Sequence, residues 1–320
     1  MNLQEPVVIA CAANAAYAIP LAVMLRSAVD HLSPGRELVA WVVDDGLGPA
    51  ARQRLVESLP GRATVRWLSP SRSDFGELPL WGRMPITTYE KLTIAESLPA
   101  GVSKAIWLDC DMLVLTDLAE LWEIPIGGSH ALAVTDALVP TVSSRFGVCG
   151  FRELGLEASS PYFNAGMMVL NAAQWRTSNV AAAALSYLKR FRDRVFFWDQ
   201  EALNAVLAGH WTQVDARWNW SANLDRLSDN GPASYDAPGG RPRIVHFSGN
   251  LKPWVVREEM EFDTMFFRVL DETAWHGWRP ERTFIRSVLG RYGSSRLRRL
   301  VYPAERWAMR VTWRLTQRRA

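Results

Sequence analysis

The chain has 320 residues, 48% hydrophobic and 22% charged, the balance of an ordinary globular protein with room for one large domain or two modest ones. Its three cysteines, Cys11, Cys110 and Cys149, are odd in number and far apart. That argues against a disulfide framework, offers no CxxC zinc pair and points to a reducing, cytoplasmic compartment. The net charge of +3 is unevenly spread: Arg279 to Ala320 hold twelve Arg against Glu281 and Glu305, while the first 278 residues carry 24 basic and 31 acidic side chains.

In chain order, the first apolar run is VVIACAANAAYAIPLAVML, residues 7–25. It is long enough to span a bilayer. Asn14 and Pro20 interrupt it, however, and no positive segment precedes it. It reads instead as a buried strand over 7–12, a small-residue turn over 13–16 and a helix over 17–32, in which Leu21, Met24, Leu25, Ala28 and Leu32 share one face. Further strands are predicted at 38–43, 64–68, 105–109, 131–135, 163–170 and 243–247, and further helices at 49–58, 87–98, 117–122, 178–192, 199–208 and 258–273. The alternation over the first 110 residues predicts a parallel sheet with helices on both faces. Ligand sites in such sheets lie at the carboxyl ends of strands. Two strands end there in acids, LVAWVVDD with Asp44 and Asp45, and AIWLDCD with Asp109 and Asp111. Residues 221–242, rich in Gly, Pro, Ser and Asp, read as a loop.

Two carboxylates one residue apart, at the end of an apolar strand, can converge on one hard divalent cation, Mg²⁺ or Mn²⁺, which would offset their repulsion and carry a diphosphate. The bland alternative makes them caps of the helix near Thr116, but Asp117 with Glu120 already supplies that cap. A second chemical reading is a haloacid-dehalogenase-like phosphatase with Asp109 as nucleophile. Against it, Leu113 stands where that family usually has Thr or Val, and the motif lies far from the N-terminus. The other constellation is IVHFSGNLKPW, residues 244–254. His246 closes a strand, Gly249 permits close backbone approach, Lys252 is a point charge suited to phosphate, and Pro253 stiffens the exit. A neutral imidazole would complete a Mn²⁺ ligand set.

Six elements stand in a fixed order: ACAANAAYAIPLAVMLRS, ITTYEKL (86–92), WLDCDMLVL, YFNAGMMVLN (162–171), DQEALN (199–204) and HFSGNLKPW. Together they resemble glycosyltransferase family 8, retaining enzymes that include bacterial lipopolysaccharide galactosyl- and glucosyltransferases and glycogenin. The resemblance, which covers roughly residues 7–255, implies an α/β fold of the GT-A nucleotide-diphospho-sugar transferase type for the domain 1–255; residues 256–320 read by composition as a basic, helical, Arg- and Trp-rich region. It implies that Asp109, Asp111 and His246 hold Mn²⁺ or Mg²⁺ against the diphosphate of a UDP-hexose, glucose or galactose. Lys91 matches a basic residue that reaches the sugar or phosphates, and Gly249 and Lys252 match diphosphate-binding positions. Asn164 and Ala165 match positions around the donor sugar, as do Asp199 and Gln200, and Asp136 matches an acid near sugar and acceptor. These last three are the catalytic candidates. Ala12, Asn14, Tyr17 and the backbone of Cys110 complete the nucleotide side. Many relatives carry an acid at the position of Asn14, where it contacts the uracil.

The acceptor implied is a hydroxyl of a glycan or glycolipid. Retention without an evident carboxylate nucleophile, Gln200 being a poor one, favours same-face substitution over a covalent intermediate. A non-catalytic nucleotide-sugar-binding relative is the further alternative. The basic C-terminal region, with Trp307, Val311 and Leu315 at i, i+4 and i+8, suits peripheral attachment to an anionic membrane. No nucleic-acid motif accompanies its charge.

Overall fold

The structure, a computed structural model, describes residues 5–71, 75, 76, 78–80, 84–222, 240–249, 252–255 and 261–281. The first three strands, β1 (Val7–Ala13), β2 (Leu38–Asp44) and β3 (Ala63–Leu68), lie within a residue of the predicted ones, as do β4 (Lys104–Leu108), β6 (Ala131–Thr135) and β7 (Phe163–Asn171). These six and β8 (Trp211–Gln213) build a seven-stranded sheet in the order β3-β2-β1-β4-β7-β6-β8. The β3-β2-β1-β4 half is parallel throughout, β7 runs antiparallel to both its neighbours, and β8 pairs parallel to β6.

A second, three-stranded sheet joins β5 (Met112–Val114), β10 (Ile244–His246) and β9 (Trp220–Ser221), with β5 antiparallel to β10. The apolar run 105–115 is thus two strands in two sheets, and Asp109-Cys110-Asp111 is the crossing between them. Strands β5, β8 and β9, of two or three residues, are too short to show a hydrophobic period, and the sequence reading missed them.

Both faces of the main sheet are covered, which is why its strands read as near-continuous apolar runs. Along β1, Val7, Ile9, Cys11 and Ala13 point into one core and Ala10 into the other. The first core is closed by α1 (Ala18–Asp30), through Leu21, Met24 and Leu25, and by α8 (Glu261–Asp271), through Phe262, Phe266 and Leu270. Pro20 falls in the first turn of α1, where its missing N–H costs no helical bond. The second core is closed by α5 (Ala172–Thr177), α6 (Val180–Arg190) and α7 (Trp198–Leu207), through Trp175, Leu188 and Leu203. Each such fully buried side chain contributes about 1.5–3 kcal/mol. The remaining α-helices among the described residues are α2 (Pro49–Glu57), α3 (Ile94–Ser97) and α4 (Ala119–Trp122). Asp117 accepts from the Ala119 N–H at 2.8 Å at the start of α4, as the cap reading required, but Glu120 turns to Arg243 and Thr116 instead of closing a capping box.

The single helix predicted over 87–98 is divided. Residues 86–91 form a 3₁₀ turn, and only 94–97 are α-helical. The tighter turn eclipses residues three apart, and so puts Thr88 and Lys91 on one face. Both bind Asp199 there: Thr88 Oγ1 donates to Oδ1 at 2.7 Å, and Lys91 Nζ lies 2.8 Å from Oδ2. Polar partners at the site override the helical period that the sequence suggests. Among the described residues no helix is long and apolar enough to cross a membrane. The predicted loop 221–242 lies almost wholly outside the described residues, as does the basic segment from 282 to 320.

Candidate active site

The carboxyl ends of β1 and β4, neighbours in the sheet, flank the point where strand order reverses, the usual ligand crevice of such folds. At β4 the backbone N–H of Asp109 donates to Gly166 O on β7 at 2.9 Å, which fixes where the crossing begins. The Cys110 thiol donates to Ala12 O at 3.2 Å and ties the crossing to the end of β1. Its contact with Cys11, then burial, push that thiol well above its ordinary value, so it remains a protonated donor. The Phe247 N–H donates to Asp111 O at 2.9 Å and ties the crossing to β10.

One oxygen or nitrogen each of Asp109, Asp111 and His246 lies within 4.8 Å of the other two. Octahedral bonds of about 2.1 Å require ligand atoms about 3–4 Å apart, so small rotations of these side chains suffice to close on one ion. Two carboxylates and an imidazole suit Mn²⁺, and carboxylates alone would suit Mg²⁺ equally. His246 Nε2 is 3.3 Å from Asp111 Oδ1.

Two lysines frame the carboxylates, Lys91 buried and Lys252 partly buried. Lys91 Nζ is 3.1 Å from Asp109 Oδ1, and the Trp107 indole N–H donates to the same oxygen at 2.8 Å. Lys252 pairs with Asp111 Oδ2 and donates to Phe247 O at 2.9 Å, beneath the rings of Tyr17 and Trp254. Burial works against the charge on each lysine, but the adjacent carboxylates outweigh it, and both stay firmly cationic. Burial also opposes the Asp111 charge. Lys252 foremost outweighs it and holds that carboxyl far below the ordinary range. For Asp109 burial prevails over Lys91, with Asp111 adding repulsion, and its carboxyl is raised. A dication would relieve that repulsion.

The residues expected around the donor sugar form a hydrogen-bond network. Asp136 follows β6 and is saturated: Oδ1 accepts from the N–H of Leu138 at 2.8 Å and of Val139 at 3.0 Å, and Oδ2 accepts from Asn164 Nδ2 at 2.9 Å and Gln200 Nε2 at 3.1 Å. Gln200 Oε1 accepts from the Ala165 N–H at 3.1 Å. Trp198, at φ 37°, puts a bulky residue in the left-handed region directly before Asp199 and Gln200, a strained start to α7 of the kind found at working sites. The buried Glu201 carboxylate braces this turn by accepting from the N–H groups of Phe196, Phe197 and Cys149.

After β1, Asn14 Oδ1 accepts from the Ala16 N–H at 3.1 Å, and its Nδ2 reaches Thr87 Oγ1 at 3.5 Å, which in turn donates to Asp45. Of the two acids ending β2, Asp45 therefore faces Thr87. Asp44 instead accepts from the N–H groups of Gly46 and Leu47 and pairs with Arg52. Gly249, at φ 80°, holds the left-handed turn between His246 and Lys252.

The structure thus gathers the sequence candidates at one crevice. It adds residues that the sequence reading did not single out, namely Thr88, Gly166, Glu201 and Asn219. Gly166 carried a signal, an interior strand glycine, which marks close approach. A Cβ there would collide with the His246 ring and the Met112 methyl.

A parallel half-sheet with an Asp-x-Asp crossing at its carboxyl edge and a late His-x-x-Gly-x-x-Lys motif is the arrangement of a GT-A type fold. The model of glycosyl transferase family 8 matches residues 8–257, and the chain belongs to that family. It is 26% identical over 286 residues to General stress protein A of Bacillus subtilis, an alignment covering 86% of this chain and 97% of that protein. Glycosyltransferase GlyF of Streptococcus pneumoniae is 23% identical over 256 residues, 77% of this chain and 56% of its own length. Among solved structures, the galactosyltransferase LgtC, in complex with donor and acceptor sugar analogs, superposes with a TM-score of 0.72 at 25% identity, covering 86% of this chain and 98% of LgtC. The family assignment makes the protein a glycosyltransferase and removes the phosphatase reading. With that reading goes the expectation of Asp109 as a phosphatase nucleophile; its carboxylate is engaged by Lys91 and Trp107.

Proposed function

We propose that the protein moves a hexose, galactose or glucose, from a UDP-sugar to a hydroxyl of a glycan or glycolipid, with retention and in a Mn²⁺-dependent reaction. The observation that carries this reading is the convergence of Asp109, Asp111 and His246 between Lys91 and Lys252. A divalent cation bound there supplies Lewis-acid charge to the departing diphosphate. Lys252 and the Gly249 turn serve the diphosphate, and Lys91, held by Asp199, serves the sugar–phosphate linkage. Asn164, Ala165 and Gln200 orient the sugar, with Asp136 as their anchor. Ala12, Asn14, Tyr17 and the Cys110 backbone receive the nucleoside. Catalysis is assigned to residues 1–255, with α8 packed against their first core, and the Arg-rich segment after it to attachment at an anionic membrane surface on the cytoplasmic side. Calorimetric titration with UDP should give binding that strengthens with Mn²⁺, and a donor panel should release UDP from UDP-galactose or UDP-glucose. Binding indifferent to Mn²⁺ would count against the metal site.

The side chains favour same-face substitution. Asp136 accepts four hydrogen bonds, Asp199 is held by Thr88 and Lys91, and the Gln200 carbonyl is held by the Ala165 N–H. None of the three is left as a ready nucleophile. The acceptor oxygen then bonds to the anomeric carbon on the face that UDP leaves, the sugar–oxygen–phosphorus link breaks at carbon, and the acceptor proton passes to the departing phosphate oxygen. Mass spectrometry after rapid quench with donor alone should detect no glycosyl adduct. An adduct on Asp136, Asp199 or Gln200 would overturn this route.

A further inference from the structure

We propose that Asn219 is the positioning residue that presents His246 to the cation, as the middle link of a relay from the sugar-side carboxylate Asp136 to the metal-side imidazole. The direction of the relay is fixed at its ends by groups that only donate or only accept. Asp136 Oδ2 accepts, so the Asn164 atom 2.9 Å away is Nδ2. The Gly166 backbone N–H donates, so the Asn164 atom 3.0 Å from it is Oδ1. Asn219 must therefore turn its Nδ2 to that oxygen, at 2.9 Å, with the Asn164 carbonyl as a second acceptor at 3.4 Å. Its Oδ1 is left facing His246 Nδ1 at 3.0 Å. An amide oxygen can only accept, so Nδ1 carries the hydrogen.

A neutral imidazole has one N–H, so Nε2 keeps its lone pair, on the side of the ring that faces Asp111. That is the nitrogen a cation bound between the aspartates needs. Two residues thus divide the work. Gly166 sets where the ring sits, because any side chain there would overlap it. Asn219 sets which nitrogen is bare. Asn219 lies in the 3₁₀ turn Ala216–Asn219, immediately before β9, and β9 pairs with β10, which carries His246. The small sheet therefore holds the amide and the ring in register. The relay also makes the sugar pocket and the metal site one unit, since a shift of Asn164 moves the amide that orients His246.

The inference rests on the cation site proposed above, and its test separates the two. In the metal-free, full-length protein, ¹⁵N NMR of the imidazoles, with the His246 signals assigned through His246→Gln, should show the hydrogen on Nδ1. In Asn219→Ala that preference should be lost. Mn²⁺ affinity in the presence of UDP, read from the paramagnetic resonance of free Mn²⁺, should fall about 10- to 100-fold, as for other outer-shell partners of metal-bound histidines. Asn219→Asp still accepts from Nδ1–H but cannot donate to Asn164. It should hold Mn²⁺ close to the wild-type affinity while raising KM for UDP-galactose or UDP-glucose. An Nε2–H form in the wild type overturns the relay, whether or not the alanine variant folds. So does an Asn219→Ala protein that binds Mn²⁺ as the wild type does. A wild type that binds no Mn²⁺ sinks the cation site itself, while its tautomer still tests the relay.

Discussion

Replacing Asp111 by asparagine is expected to abolish the Mn²⁺-dependent part of UDP binding and to lower kcat/KM by about 10³-fold. That is the loss of several kcal/mol of transition-state charge stabilisation at about 1.4 kcal/mol per factor of ten. Asp111 faces all three of its functional neighbours at once: His246 across Oδ1, Lys252 at Oδ2, and Asp109 two residues before it. Asparagine keeps the shape and one acceptor oxygen but removes the charge that a cation would share. The fold should survive. Lys252 retains Phe247 O at 2.9 Å and can still donate to the amide oxygen. Weakening one charged hydrogen bond costs about 1.5–3 kcal/mol, against a domain stability on the order of 5–15 kcal/mol. Circular dichroism and thermal melting should therefore stay native while calorimetry loses its response to Mn²⁺. A variant whose UDP affinity still rises with Mn²⁺ would remove Asp111 from the metal site.

The second large effect is expected at Asp136, where asparagine is a poor substitute despite its shape. The carboxylate accepts four hydrogen bonds, two from backbone N–H groups and two from side-chain amides. An asparagine there has one oxygen. If that oxygen serves Leu138 and Val139, its NH₂ faces the amide NH₂ groups of Asn164 and Gln200. Those amides cannot turn, because Asn164 Oδ1 must meet the Gly166 N–H and Gln200 Oε1 the Ala165 N–H. If the asparagine flips, two backbone donors lose their acceptor. Either way two part-buried donors go unmet, at about 1–3 kcal/mol each. Asp136→Asn should melt several degrees lower. It should also lose about 100-fold in kcat through misplacement of the sugar-orienting amides. Melting and turnover unchanged from wild type would show that the network is not built as described.

Much of this arrangement was legible in the chain. The strands that carry the site lie where period and composition put them, because strands buried on both faces leave continuous apolar runs whose ends are marked by the first charge. Asp109 and His246 were legible for the same reason, each standing where an apolar strand stops, and Asp111 was legible by its spacing from Asp109. The 3₁₀ turn at 86–91 was not, because its conformation answers to Asp199, more than a hundred residues away, and not to its own period.

By itself the sequence determined an acid pair at the end of β4, a histidine and lysine on a glycine turn, and a six-element order that marks the family. The tertiary structure alone decided that AIWLDCDMLVL divides between two sheets, that Asp136 is an anchor with every oxygen engaged, and that Asn219 orients His246. Those facts depend on hydrogen-bond direction between residues distant in the chain, from Asp136 to His246. Local pattern records which side chains are buried. It does not record which donor meets which acceptor, because an asparagine in a loop reads the same whether it faces solvent or an imidazole.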